Sequence, residues 1–181
     1  MSEVIVFLAD GFEEIEALTV VDVLRRGGAD IETVSIMDKI DVMGAHNIEV
    51  KADRLFDDVN YNDVNMVVLP GGGVGTQNLK NHKGVNDICA DFARGNKYVC
   101  AICAAPSVLG VKGLLKGKTA VCYPGFEEQL DGAVIGKNNV EKDGMTITSK
   151  GPGTALEFAF ALLKELKGSE VVDKVKKGML L

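Results

Sequence analysis

The sequence predicts an α/β layered fold with a mostly parallel central sheet, and three observations carry that prediction. Val4–Leu8 and Met66–Leu69 are apolar without polar alternation, as expected of strands buried on both faces of a parallel sheet. Segments with an apolar helical stripe stand between such runs. One Asp143-Gly144 step marks a local hairpin near the end of this strand–helix alternation.

In chain order, Val4–Leu8 is the first, central strand and stops at Asp10-Gly11. Over 13–26, Ile15, Leu18, Val21, Val23 and Leu24 fall mostly on one helical stripe, and Gly27-Gly28 ends the helix. Residues 31–36 and Met66–Leu69 are the next strands. Val85, Ile88, Cys89 and Phe92 form the inner face of a helix that ends at Gly95. Tyr98–Ile102 is a strand that enters Cys103-Ala104-Ala105-Pro106, where Pro106 suits the first turn of a new helix because its missing N–H has no partner there. Residues 118–122 read as a further strand, and 140–142 with 145–148 as the hairpin arms. Thr154 and Glu157 have capping-box spacing before a helix carrying Phe158, Ala159, Leu162, Leu163 and Leu166. Ser169 caps a short terminal helix reaching Lys177.

The chain has 181 residues, 46% apolar and 25% charged, which fits a single domain over 1–181; no repeat or linker offers a second one a place to begin. A net charge of −6 disfavours a polyanionic partner, so nucleic acid binding is not expected. Apolar runs are too short to span a bilayer, and no basic region leads into a signal-type stretch, so the expected setting is the cytoplasm without membrane partners. Four cysteines, at 89, 100, 103 and 122, are too few for a secreted disulfide framework of this length.

Chemistry concentrates at Cys103. A thiol at the carboxyl end of a buried strand and the start of a helix faces free backbone N–H groups and the positive end of a helix dipole, both of which favour its thiolate. The same turn is used by nucleophile elbows; the competing reading is a buried structural cysteine. Cys100 makes a formal C-x-x-C with Cys103, but strand residues three apart point to opposite faces with Cα atoms roughly 10 Å apart, so a disulfide does not fit and Cys100 is assigned to the core. With only His46 and His82 available and no clustered spacing, no metal is expected.

Glu13, Glu14 and Glu16 open the first helix, where carboxylates are stabilised by the dipole, and this alone explains three acids. Glu16 differs in lying between Ile15 and Ala17-Leu18. Held beside a thiolate, a partly buried carboxyl would keep its proton and serve as donor and shuttle. Pro70-Gly71-Gly72-Gly73-Val74-Gly75 lacks the lysine of a P-loop and the third glycine of a dinucleotide fingerprint. It reads either as a tight turn or as a loop whose N–H groups approach an oxyanion. Lys80-Asn81-His82-Lys83 reads as a polar loop and Ala45-His46-Asn47 as a turn, with both histidines at the surface.

Four segments, 9–16, 69–72, 101–106 and 148–154, together resemble the ThiJ/PfpI superfamily, in its parkinsonism-associated deglycase branch, in the same order along nearly the whole chain. The resemblance implies a flavodoxin-like three-layer sandwich of the class I glutamine amidotransferase type, usually homodimeric, and no cofactor. It places the reactive cysteine at Cys103, the protonated carboxyl at Glu16 and the oxyanion N–H groups at Gly72 and Ala104. Protease-like branches carry His directly after the cysteine, where this chain has Ala104, so peptidase activity is not expected. Where the deglycase branch often has a histidine before the proline matching Pro124, this chain has Tyr123, a poor base near pH 7. An arginine that lines the pocket across the family's dimer interface aligns with His46, which makes His46 and Tyr123 candidate pocket residues.

The implied activity is that of a glutathione-independent glyoxalase and protein deglycase, taking small α-oxoaldehydes or glycated side chains. The competing readings are a non-enzymatic redox sensor or redox-regulated chaperone working through a Cys103 sulfinate, and a role in thiazole phosphate synthesis for thiamine.

Overall fold

A computed structural model describes residues 3–181; residues 1–2 of the expected 1–181 domain lie outside the described residues. The strands are β1 (Val4–Leu8), β2 (Ile31–Ser35), β3 (Asp41–Met43), β4 (Glu49–Lys51), β5 (Arg54–Leu55), β6 (Met66–Leu69), β7 (Tyr98–Ile102), β8 (Thr119–Ala120), β9 (Val134–Ile135), β10 (Val140–Asp143) and β11 (Thr146–Ser149). The helices are α1 (Glu14–Arg26), α2 (Gly73–Asn81), α3 (Lys83–Arg94), α4 (Pro106–Gly110), α5 (Ala155–Lys167) and α6 (Ser169–Gly178). Seven strands form the central sheet in the order β10-β11-β7-β6-β1-β2-β5. Every neighbouring pair is parallel except β10 with β11. β1 is therefore interior to the sheet, as its uninterrupted apolar run predicts.

Alternation along β1 divides its side chains between two layers. Val4, Val6 and Leu8 pack with Val20 and Leu24 of α1 and Phe158 and Leu162 of α5. Ile5 and Phe7 pack on the other face with Leu79, Val85, Phe92 and Leu109 from α2, α3 and α4. Each such side chain contributes about 1.5–3 kcal/mol on burial. The result is the flavodoxin-like three-layer arrangement, with helices on both faces of the sheet.

Several elements depart from the sequence expectations. On α1 the buried stripe is Ala17, Val20, Val21, Val23 and Leu24, whereas Ile15 and Leu18 are 55% and 38% exposed. The expected strand over 118–122 shrinks to β8, which pairs with β9 outside the central sheet. In the hairpin, Asp143 pairs with Thr146, so the two turn residues are Gly144 and Met145, one position later than the Asp-Gly signal suggests. Asp143 Oδ2 instead accepts the Thr119 N–H at 2.8 Å, which ties the hairpin to β8. Thr154 makes no cap bond to α5. Its hydroxyl bonds Ser149 Oγ at 2.7 Å and the Gly151 N–H at 3.1 Å, which fixes the loop between β11 and α5. α2 forms over a glycine-rich stretch that reads as a loop, and His82 does not sit in a free polar loop: its Nδ1 accepts the Val85 N–H at 3.1 Å and caps α3.

Candidate active site

Three neighbouring parallel strands, β1, β6 and β7, end on the same side of the sheet. The segments that follow them, the start of α1, the loop 70–72 and the turn 103–105, therefore converge in the crevice beyond the strand ends. That topology brings together Glu16 and Cys103, 87 positions apart in sequence.

Cys103 adopts φ +65°, a left-handed conformation that costs a non-glycine residue about 1–3 kcal/mol. Two main-chain bonds hold it there: its N–H donates to the Ser149 carbonyl at 3.0 Å, and its carbonyl accepts the Tyr123 N–H at 2.7 Å. The strand-to-helix turn expected from the sequence is thus a strained elbow that lifts Cys103 out of the sheet and leaves it half-buried. Backbone N–H groups of Gly72 and Ala104 donate toward its sulfur. Gly72 reaches this position with φ +90°, and a Cβ there would collide with the Gly11 carbonyl.

Glu16 is fully buried on α1. Its Oε2 accepts the Gly71 N–H at 2.7 Å, while its Oε1 is buried with no partner in hydrogen-bonding geometry. A buried ionised carboxylate with an unfilled oxygen is costly, and a protonated one beside a thiol is not. Desolvation accordingly pushes Glu16 up to about 7, against the opposing hydrogen bonds from Cys103 and Gly71. The Cys103 thiol is pushed up to about 12, by burial first and then by the charge and hydrogen bond of Glu16, with the Gly72 and Ala104 N–H groups pulling the other way.

The expectation that a helix start alone favours the thiolate is therefore corrected. α4 is only five residues long, and burial outweighs its dipole. Above about 7 the pair keeps one proton, held mainly on sulfur, and the thiolate is the minor form reached when that proton passes to the carboxylate. Gly71 makes this contact possible: a Cβ there would lie 2.6 Å from both Cys103 Cβ and Glu16 Oε2.

A cleft of about 290 Å³ opens over Cys103. Gly72, Gly73 and Ala104 border it, Tyr123, Phe126 and Pro152 supply its apolar lining, and Glu13 is the only acidic lining among the described residues. Tyr123 is 46% exposed, and its ring lies against Gly151. Within one chain His46 lies outside the cleft. Its Nδ1 is 2.9 Å from Glu14 Oε2 and 3.6 Å from Glu13 Oε2, and its N–H donates to Glu14 Oε1 at 2.7 Å. The hydrogen bond that the His46 ring donates to Glu14 and the charges of both acids raise the His46 pKa.

A model of the DJ-1/PfpI family matches residues 2–165. The chain belongs to the DJ-1/PfpI family. It is 39% identical over 181 residues to Protein DJ-1 homolog A of Arabidopsis thaliana, covering 98% of this chain and 46% of that protein, so it spans under half the length of this relative. Protein dj-1beta of Drosophila melanogaster is 36% identical over 179 residues, covering 98% of this chain and 96% of the relative. The solved structure of oxidized Toxoplasma gondii DJ-1 superposes with a TM-score of 0.94 at 33% identity, covering 99% of this chain and 98% of that one.

Within this DJ-1/PfpI fold the four residues singled out at the site, Cys103, Glu16, Gly72 and Ala104, come together. Two participants escaped the sequence reading. Gly71 holds the carboxyl, and its signal was its place between the strand end and Gly72. Glu13 lines the cleft, although its position at a helix start accounts for an acid without any further role.

Proposed function

We propose that this protein is a cysteine-dependent, glutathione-independent glyoxalase, with deglycase action on early adducts of the same α-oxoaldehydes. The observation that supports it most is the buried Glu16 carboxyl, raised to about 7, beside a half-buried Cys103 that faces two N–H donors under a small, partly apolar cleft.

In this reading the Cys103 thiolate adds to the aldehyde carbon of methylglyoxal, and Glu16 passes its proton to the resulting alkoxide to complete a hemithioacetal. The N–H groups of Gly72 and Ala104 steady the negative oxygen while it lasts. Glu16, now a carboxylate, takes the hydrogen from that carbon and returns it to the neighbouring carbonyl carbon, as the hydroxyl proton moves to the neighbouring oxygen. The product is a 2-hydroxyacyl thioester on Cys103. Water cleaves it to lactate and restores the thiol. Neither Tyr123 nor a histidine is needed for these steps, and no cofactor enters them.

A homodimer in the cytoplasm completes the proposal. Exposed Ile15 and Leu18 on α1, with exposed Ile48 beside β4, form apolar surface suited to a second copy. The pairing of Ala45 N–H with the Phe12 carbonyl at 2.8 Å holds the β3–β4 segment against the start of α1.

The test is incubation of purified protein with methylglyoxal in the absence of glutathione, followed by chirally resolved lactate. Wild type is expected to form lactate of one hand, and Cys103→Ser and Glu16→Gln to fall by at least about 10²-fold. Equal lactate from all three would overturn the reading. A second reading, oxidation of Cys103 to a sulfinate as a stress signal, is favoured by the oxidized state named for the Toxoplasma relative and by the unfilled Glu16 Oε1. Mild peroxide followed by intact-mass analysis would then add two oxygens at Cys103 alone.

A further inference from the structure

We propose that Glu13, Glu14 and His46 form a binding site for one divalent transition ion of the zinc class. The site goes beyond the glyoxalase reading and does not depend on it. One donor atom from each of the three residues lies within 4.8 Å of the other two, a convergence found at no other place among the described residues. His46 Nδ1 is 2.9 Å from Glu14 Oε2 and 3.6 Å from Glu13 Oε2. Ligands at about 2.0–2.2 Å from a tetrahedral zinc lie roughly 3.3–3.6 Å from one another, so these donors need move by only about 1 Å to close on an ion.

The fold holds the donors in place before any ion arrives. Phe12 bridges Gly44, and the Ala45 N–H donates to the Phe12 carbonyl at 2.8 Å, which fixes the β3–β4 turn against the residue preceding Glu13. Gly44 lets the turn close over Glu14, since a Cβ there would collide with Glu14 Oε1. Asn47 completes the turn at φ +63°, with its N–H donating to the Gly44 carbonyl at 3.2 Å. The His46 N–H donates to Glu14 Oε1 at 2.7 Å, so the backbone grips one oxygen of that carboxylate while the other faces the imidazole. Glu13 and Glu14 are 9% and 5% exposed, and such burial limits the rotamers open to both. Positions 13, 14 and 46 carry no metal-ligand spacing in sequence; the pairing of Phe12 with Gly44 is what brings them together.

The donor set selects the ion. One imidazole nitrogen with two carboxylate oxygens suits zinc and its neighbours, whereas magnesium and calcium take oxygen ligands. Two carboxylates match the charge of a divalent ion. On binding, the Nδ1 hydrogen bond to Glu14 gives way to the metal bond, and the ring keeps its proton on Nε2. All three donors come from one chain, so the fourth tetrahedral position falls to water or to a donor of the second copy. Glu13 also lines the Cys103 cleft, and an ion held here would brace that wall.

The test uses the full chain as it assembles in solution, because His46 is also expected at the interface between copies. Cys103→Ser serves as background, so that the reactive thiol cannot ligate. Zn²⁺ is titrated by calorimetry and Co²⁺ by its visible ligand-field bands. One ion per chain is expected, without a sulfur-to-cobalt charge-transfer band. The chain has only two histidines, so nitrogen NMR resolves them: the His46 Nδ1 signal should shift with Zn²⁺ and His82 should not.

His46→Arg, which keeps a basic side chain and removes the ligating lone pair, should weaken Zn²⁺ by about 10²-fold or more, as should Glu14→Gln. His82→Gln should leave it unchanged. Saturating Zn²⁺ should raise the melting temperature of the Cys103→Ser chain and not that of the chain also carrying His46→Arg. Should Glu14→Gln not fold, His46→Arg and the ring shift decide. No binding by the assembled protein would mean that the second copy already fills the cluster, and would overturn the proposal. Unchanged affinity in His46→Arg, a shift at His82 instead of His46, or displacement by equimolar Mg²⁺ would overturn it equally. Zinc bound at His46 with no lactate from wild type would sink the glyoxalase reading and leave the metal site standing.

Discussion

Cys100 and Cys103 lie three residues apart on one strand and its turn, yet they occupy different chemical worlds. Cys100 is fully buried in β7, packed with the apolar side chains between the sheet and α1 and α5, and burial drives its thiol far above the ordinary range. Cys103 is also raised, but it stands on a strained turn beside a carboxyl that can exchange a proton with it and two N–H groups that can receive its charge. The difference teaches that partners, more than exposure alone, convert a thiol from packing material into a reagent.

Exchange of each cysteine for serine should separate these roles most sharply. Cys103→Ser is expected to abolish lactate formation and leave urea unfolding nearly unchanged. Cys100→Ser should keep most of the activity and lose about 1–3 kcal/mol of stability, because a hydroxyl is then buried without an assured partner. The reverse pattern would break the comparison. Next in size is Gly71→Ala, whose added methyl meets both Cys103 Cβ and Glu16 Oε2. Lactate formation should fall by about 10²-fold, with the loss in kcat more than in KM, because the substrate cleft is left open while the proton exchange is disturbed.

Glu16→Gln sharpens the contrast through pH. A carboxyl raised from 4.5 to about 7 binds more protons folded than unfolded between those values, so wild-type stability falls as pH climbs through that window. Glutamine removes the penalty. The variant should therefore match wild type near pH 4 and exceed it above pH 7 by about 3 kcal/mol, measured by urea unfolding at each pH. The smallest effect belongs to His46, which is raised by Glu14 and exposed. Its contribution is fully present below its ordinary value near 6.5 and fades as pH rises through its higher folded value. His46→Gln should thus lower the melting temperature slightly at pH 5.5 and leave it unchanged at pH 9.

Much of this contrast was legible in the sequence. The apolar runs of β1, β6 and β7, the turn at Cys103 and Pro106 at the head of α4 follow from local patterning. Elements whose stability comes from tertiary contact did not: α2 carries two glycines and an exposed Val74, and holds its place through Leu79 and a bond from Asn78 Nδ2 to the Asp10 carbonyl at 2.8 Å. Ile15 and Leu18 satisfy a helical stripe but point to solvent, since Ala17 and Val20 make the closer face to the sheet. Thr154 matches a capping box by spacing and spends its hydroxyl on Ser149 instead. At the site, the meeting of Glu16 with Cys103 is a consequence of strand order, which no local motif encodes.

The most direct test of the shared proton is the pH dependence of Cys103 alkylation by iodoacetamide, read site by site by mass analysis in wild type and Glu16→Gln. Sharing predicts a wild-type rate that rises with an inflection near 7, absent from Glu16→Gln, with Cys100 unreactive throughout. A Cys103 that stays unreactive until pH exceeds about 10, or that gives the same profile in both proteins, would mean that the charge rests on the carboxylate and that Glu16 does not make the thiolate.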